Sequence, residues 1–321
     1  EAFGMHANAD ITKDQADTNV MCNSLLLMTQ SGGGGGGGGA EEATAAAVNE
    51  FLSVLPEDFD IEATQRKWPI TYEESMNTVL AQEMSRFNKL LGVIRASLKA
   101  INLAIQGLSI MSSENDAAYR SLTVGEIPAL WKGASYPSLK PVASYVTDLQ
   151  ARCKMLSDWC DTGIPSVFWI SGFYFVQSFL TAALQNYARA NNFPIDEVSY
   201  DFQPMEMDPD QYKEGPKDGV YIKGLFIEGC DWDTKAKQLC ESKPKMLFVD
   251  APVFWLVPKL TTEHLDFPHY NCPIYRTMDR RGVLATTGHS TNFVMFIRVP
   301  TDKPSTHWTM RGVAFLTTLA D

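Results

Sequence analysis

Residues 163–189, GIPSVFWISGFYFVQSFLTAALQNYAR, follow Asp161 and reach Arg189 without a single Asp, Glu or Lys, and Arg189 is their only Arg. A stretch with no charged face has nothing to present to water, so it is expected to be buried almost all round. Its length also satisfies the roughly 20 residues that a membrane span needs. Against a bilayer stand the amides and hydroxyls of Ser166, Ser171, Gln177, Ser178, Gln185 and Asn186, the break at Pro165, and the lack of a flanking Lys/Arg cluster. The expectation is therefore a helix buried in a protein core, stopping near Asn191 ahead of Pro194. It joins two architectures, with 3.6-residue apolar spacing before it and short strand-like runs after it.

Working back towards the N-terminus, Val142 to Trp159 reads as an amphipathic helix ending near Gly163, set off by Ile127-Pro128 and by SYPSLKP at 135–141. The longest periodic segment runs from about Tyr72 to Ser112. Met76, Val79, Leu80, Met84, Phe87, Leu90, Leu91, Ile94, Leu98, Ile101, Ile105 and Leu108 recur at threes and fours, with Glu83, Arg86, Lys89, Arg95 and Lys99 on the other faces. Unbroken, it would be a rod of roughly 60 Å at 1.5 Å per residue, either an ordinary long core helix or one lying across several subdomains. Gly92 and Gly107 are possible bend points, and the apolar stripe is wide for a strict two-stranded coiled coil.

Upstream of that rod, Ala40 to Leu55 reads as a helix with an acidic first turn. Before it stand eight consecutive glycines, Gly32 to Gly39, expected to be a flexible linker spanning 31–40. A phosphate-cradling loop would need Lys and Ser/Thr directly after its last glycine, whereas Ala40, Glu41 and Glu42 follow here. Thr12 with Gln15 fits a capping box, and Val20, Leu25, Leu26 and Met28 supply the apolar positions of a helix ending before Ser31.

Downstream, EVSYDFQPMEMDPD and GPKDG make a strand and an acidic loop. From Gly219 the runs VYIKGLFIEG, MLFVDAPVFWLVP, CPIYRT, VLATTG, NFVMFIRVP and RGVAFLTTL read as strands bounded by Gly, Pro, Asp or Asn. Corners are expected at Arg281-Gly282 and Gly288-His289. The fold class is α+β: a long-helix region over 1–205, then a small antiparallel β-barrel, or a sandwich, over 206–321.

A length of 321 residues accommodates two domains, a hydrophobic fraction of 45% is that of a globular protein, and a net charge of −11 argues against nucleic acid as a partner. Cys22, Cys153, Cys160, Cys230, Cys240 and Cys272 show no CxxC pair or metal-ligand rhythm and read as free thiols of a reducing compartment. The opening EAFGMHANADI has neither a basic nor an apolar signal region, which points to the cytoplasm, and a start without Met points to a fragment of a longer protein.

No catalytic constellation stands out. His289 in TTGHSTNF has no GxSxG elbow to serve and reads as a turn histidine. His264, Asp266, His269 and Cys272 crowd a Pro-rich connection but lack a second ligand pair for zinc. Asp231 and Asp233 flanking Trp232 read as a solvated acidic turn, His307-Trp308 as strand surface, and Phe168, Trp169, Phe173, Tyr174, Phe175 and Phe179 as core aromatics. No residue is assigned to catalysis, to a cofactor or to a metal.

Taken together, EAFGMHANADI, YEESMNTVLAQEMSRFNKLL, SYPSLKP, SVFWISGFYFVQSFLTAALQNYARA, FPIDEVSYDF, DGVYIKGLFIEG, CPIYRT, LATTGHSTNFV and the closing HW and RGVAFL closely resemble the C-terminal region of dynein heavy chains, over nearly the whole sequence from Glu1 to about Leu319. The TTGHSTNFV stretch and the run around Cys272 look most like the axonemal heavy chains of cilia and flagella. In that family six AAA+ modules form a ring that hydrolyses ATP and drives a linker, while a stalk binds the microtubule. The resemblance implies a region lying against one face of the ring, with a helical part that spans it and a compact β-barrel. It implies no nucleotide site or cofactor in this segment, with ATP and magnesium bound elsewhere in the motor. It also implies contact with AAA+ modules of the same heavy chain, contact with microtubules only through the stalk, no nucleic acid or membrane partner, and a place in the ciliary or flagellar axoneme. The glycine run, Gly32 to Gly39, departs from the family and reads as a loop insertion. The implied role is non-catalytic, bracing the ring and modulating processivity, force or ATPase coupling. Two alternatives are a docking module for other dynein-arm subunits and an independent enzyme, which would require a pocket of convergent titratable groups.

Overall fold

The computed structural model describes residues 37–260, 268–280 and 291–320, with residues 11, 13–15, 17, 18, 21 and 22 near the N-terminus, all of these last helical. Thr12, Val20, Leu25, Leu26 and Met28 of the expected first helix, Gly32 to Gly36, the VLATTG strand, and the corners at 281–282 and 288–289 lie outside the described residues. By contact density the protein forms two units, residues 1–59 with 86–153, and residues 60–85 with 154–320. Two helices, α3 (Ser75–Ile105) and α6 (Val142–Thr162), contribute residues to both.

In the first unit α1 (Gly37–Val54) begins inside the glycine run. The linker expected over 31–40 is thus corrected for Gly37 to Ala40. The alanine-rich segment behind them forms helix readily, and extending it backwards costs only about 1 kcal/mol per glycine relative to alanine. The apolar stripe of α3 is buried as its spacing requires: Phe87, Leu90, Leu91, Ile94, Leu98 and Ile101 are wholly inaccessible. The helix is shorter than the expected rod, about 46 Å at 1.5 Å per residue, because Gly107 takes φ +71°. Leu108 N–H then donates to Leu103 O and Gly107 N–H to Ala104 O, the paired bonds of a left-handed glycine cap. Gly92, the other possible bend point, lies inside α3.

Beyond it, α4 (Ser113–Thr123) is capped by Ser112, whose Oγ accepts from Asn115 N–H, and α5 (Ala129–Ala134) delivers Trp131 to the core. Trp131 donates its indole N–H to Ser97 Oγ at 2.8 Å and lies 6.5 Å from the Tyr145 ring. Arg152, 2% exposed, rests over the Tyr136 ring at 3.9 Å and pairs with Asp148 at 2.6 Å. A buried guanidinium needs both contacts, since an uncompensated charge there would be costly.

In the second unit α2 (Ile61–Lys67) is capped by the Asp60 carboxylate, which accepts from Ala63 N–H. The charge-free stretch is not one helix. It forms β1 (Val167–Trp169), a 3-10 turn at Ile170–Gly172, and α7 (Val176–Asn191), which ends where expected with Asn192 at φ +57°. Pro165 and the run Val-Phe-Trp favour extended backbone, while Gly172 leaves no room for a side chain, since a Cβ there would lie 2.6 Å from Met155 sulfur. Of the aromatics expected in the core, Phe168, Phe173 and Phe179 are buried and pack with Trp159, rings 4.5–6.3 Å apart. Trp169 and Tyr174 are half-buried and Phe175 is 41% exposed, because the segment turns there and does not continue as a helix. No described helix is long and apolar enough to cross a membrane.

The strands are β2 (Val198–Pro204), β3 (Val220–Lys223), β4 (Phe226–Glu228), β5 (Asp231–Asp233), β6 (Gln238–Cys240), β7 (Phe248–Asp250), β8 (Phe254–Leu260), β9 (His269–Tyr275), β10 (Phe293–Pro300) and β11 (Ala314–Leu316). They make a four-stranded sheet, β1-β3-β8-β2, a five-stranded sheet, β10-β9-β11-β4-β7, and the β5-β6 hairpin. Helices and sheets together bear out the α+β class, but the antiparallel barrel is corrected: neither larger sheet closes among the described residues, and β1-β3 and β11-β9 pair in parallel. Parallel pairs need crossover connections, and the one from β1 to β3 carries α7. The outer strands β2 and β10 lie in contact, and Arg298 of β10 donates to Tyr200 O of β2 at 2.8 Å. That bond covers an edge carbonyl and blunts further strand addition.

Two local expectations also change. His307 and Trp308 sit on a helix, α8 (Ser305–Met310), and Trp308 is wholly buried with its indole N–H on Thr301 Oγ1 at 2.7 Å. Asp231 belongs to β5, not to a solvated turn: it is 4% exposed and holds Trp232 N–H at 2.8 Å and Lys243 Nζ at 2.9 Å.

Candidate functional site

His264, Asp266 and His289 lie outside the described residues. His269 and Cys272 both stand on β9, and no cluster of three or more His, Cys, Asp or Glu able to hold a metal occurs among the described residues. Burial pushes the thiols of Cys230 and Cys272 well above their ordinary range, which keeps them protonated. The densest polar group on the strand-rich side is Glu241, whose carboxylate takes His307 Nε2 at 2.8 Å and Arg311 Nε at 3.1 Å. Burial alone would raise Glu241, but His307, Arg311 and Lys303 outweigh it and hold the carboxyl below its usual range. This is a surface ion network with little to offer a reacting group.

The arrangement best formed for binding is a cleft of about 340 Å³ in the second unit. Its floor is apolar: Met76 of α3, Phe168 of β1, Ala183 of α7 and Val220 of β3 are all buried. One wall comes from the start of α3 bound to α7. Asn186 donates to Glu74 Oε1 at 2.6 Å and accepts from Ser75 N–H at 2.9 Å, and Met76 N–H reaches the same Glu74 oxygen at 2.9 Å. Arg189 reinforces the wall, donating to Ser75 Oγ at 2.7 Å and to Tyr72 O, with its guanidinium 4.1 Å from the Tyr72 ring.

The opposite lip is the Gly-Pro-Lys-Asp-Gly turn, 215–219. Gly219 has φ +77°, and a Cβ there would stand 2.0 Å from Leu256 O, so only glycine lets the turn lie against β8. Trp255 fixes the turn from beneath by donating its indole N–H to Asp218 O at 2.9 Å. The cleft thus combines an apolar floor with carboxylates at Glu74 and Asp218, an amine at Lys217 and the Tyr187 ring. Sequence reasoning missed it. Glu74 and Asn186 stand 112 residues apart, and nothing local to either marks the pairing.

Comparison with known proteins bears on the whole sequence. The family model for the C-terminal domain of the dynein heavy chain matches residues 15–317. The protein is 49% identical over 318 residues to dynein axonemal heavy chain 3 of Homo sapiens, an alignment spanning 98% of its own length and 8% of that relative. It is 47% identical over 322 residues to dynein axonemal heavy chain 12 of Homo sapiens, spanning 100% and 10%, and 44% identical over 319 residues to Homo sapiens dynein axonemal heavy chain 1, spanning 99% and 8%. It therefore spans a tenth or less of the length of these relatives.

Proposed function

Because the protein belongs to the family of C-terminal domains of dynein heavy chains, we propose that it is the non-catalytic structural and regulatory domain at the end of an axonemal motor. It works in the ciliary or flagellar axoneme, bracing the AAA+ ring of its own heavy chain and modulating processivity, force and the coupling of ATP turnover to movement. ATP and magnesium are bound elsewhere in that motor, and the microtubule is reached only through the stalk. The helix-rich residues 1–205 supply the ring-packing part and residues 206–321 the modulating part.

The observation that carries this reading is the match itself, which spans both parts of the sequence. The bracing role gains support from the end of α3, where Leu103 is 46%, Leu108 72% and Ile110 98% exposed within eight residues of sequence. Exposed apolar side chains this close in sequence are what a surface that docks on another would leave uncovered. The test uses the full heavy chain with and without residues 219–321, reading single-molecule run length, stall force and microtubule-stimulated ATPase. Altered force or run length with the ATP sites intact is the expected result; unchanged mechanics would remove the regulatory role. A second reading, docking of other dynein-arm subunits, is favoured by the aromatic pair on β10, where Phe296 is 47% exposed and its ring lies 4.9 Å from that of Phe293.

A further inference from the structure

We propose that the cleft between α7 and the 215–219 turn is a receptor for an organic cation on an apolar stem, of the size and chemistry of an arginine side chain. The carboxylate of Glu74 is held but not exhausted. Its Oε1 is fixed by Asn186 at 2.6 Å and by Met76 N–H at 2.9 Å, whereas Oε2 accepts from none of the described residues. A second carboxylate, Asp218, stands on the opposite lip; its backbone is pinned by Trp255 and by the wedge of Gly219 on Leu256, and its side-chain oxygens have no partner among the described residues. The Glu74 carboxylate, fixed in this way, loses little further freedom when a ligand arrives.

The floor selects the rest of the ligand. Phe168 and Met76 are 3% exposed, and Tyr187 lines the same space, so a hydrocarbon stem is sheltered and a cation meets an aromatic face beside the carboxylate. Among the described residues that line the cleft, Lys217 is basic and Glu74 and Asp218 are acidic; Arg189, in the wall behind, is already committed to Ser75 Oγ and Tyr72 O, so the lining favours a cation. A volume of about 340 Å³ lies at the small end of ligand sites, roughly 300–1,000 Å³, which suits one such group and excludes a folded element. A planar guanidinium can meet carboxylates in paired fashion, which an ammonium cannot.

The source is either a free small cation or an arginine within a polypeptide, and two probes separate them. The 321-residue protein is titrated with agmatine and with the capped tripeptide acetyl-Leu-Arg-Leu-amide, by calorimetry and by amide shifts at Ala183 and Asn186. Saturable binding of either is expected, weakening as salt rises. Tighter binding of the tripeptide assigns the site to a polypeptide arginine, and tighter binding of agmatine to a free cation. The norleucine counterpart of the tripeptide should not bind.

Glu74→Gln keeps an oxygen for Asn186 and Met76 and removes only the charge, so it should weaken binding roughly tenfold. Asp218→Asn should weaken it severalfold, and Lys217→Ala should strengthen it. Absence of saturable binding by both probes, or equal binding by Glu74→Gln and the unchanged protein, overturns the proposal. Because these measurements use the isolated 321 residues, either failure leaves the motor-domain reading untouched.

Discussion

Glu83 should be the carboxylate whose loss the second unit tolerates least. It lies on α3, is wholly inaccessible, and accepts from the backbone N–H groups of Tyr174 and, at 3.1 Å, Phe175. Phe175 is the residue capping α7 and has no side-chain cap of its own; Glu83 accepts its N–H from 92 residues away, the bond that the third-position Glu of a capping box ordinarily makes. Replacing Glu83 with alanine strands both donors, at about 1–3 kcal/mol each, or roughly 2–6 kcal/mol together. Relief of the buried charge offsets part of this, so a net loss of about 3 kcal/mol is expected. Glu83→Gln retains one acceptor oxygen but turns an amide N–H₂ towards the other donor, which places it between alanine and the parent protein. Hydrogen exchange reads the effect locally: about 3 kcal/mol corresponds to exchange roughly a hundredfold faster at the Tyr174 and Phe175 amides if opening there follows the loss. Parent-like exchange at both amides in both variants would show that Glu83 does not hold the start of α7.

Three further outcomes follow from the same structure. Burial pushes the Cys153 thiol up to about 12 against an ordinary 9.0, with Arg152 opposing; a raised folded value means full stability below pH 9 and a loss of about 1.4 kcal/mol per unit between 9 and 12, so Cys153→Ala should flatten the alkaline limb of a pH-dependent denaturation series. Gly219→Ala, with φ +77° and 2.0 Å to Leu256 O, should destabilise by more than about 2 kcal/mol in thermal melting, and an unperturbed melting point would refute the wedge that fixes the cleft lip. Gly38→Ala, inside α1, should stabilise by up to about 1 kcal/mol, whereas the same change in a loop would leave helical circular dichroism and melting unaltered.

Where side chains repeat with a period, the fold was legible. The stripe from Met76 to Ile101 fixes α3, and the β-branched runs at VYIK, FWLVPKL and NFVMFIRVP are strands. The end of α7 was legible from Pro194 just beyond it, but the end of α3 was not: Gly107 read only as a bend within a longer rod, whereas its positive φ ends the helix. The glycine run misled because entropy per residue argues for a loop while a following alanine-rich helix can still draw three glycines in. Sheet closure was beyond reach, because it depends on pairings such as Val167 with Tyr221 and Phe315 with Ile274, which no local pattern announces. The cleft was hidden for the same reason, its wall being a bond between Glu74 and Asn186.

The charge-free stretch, read as one buried helix, shows what burial without charge can and cannot specify. An apolar run says that water is excluded, and a strand, a 3-10 turn and a helix satisfy that equally. What distinguishes them is where each backbone polar group finds its partner, since burial makes every unpaired group costly. Here the partners are charges borrowed from elsewhere in the second unit. Glu83 takes the N–H groups of Tyr174 and Phe175, and Arg276, just past β9, donates to Tyr174 O at 3.3 Å and to Gln177 Oε1 at 2.9 Å. One carboxylate and one guanidinium therefore converge on the two sides of a single peptide segment, at the place where the strand-and-turn part gives way to α7. The segment needs no charge of its own because α3 and the residue following β9 bring both signs to it, and that convergence places the start of α7 at Val176 instead of at Gly163.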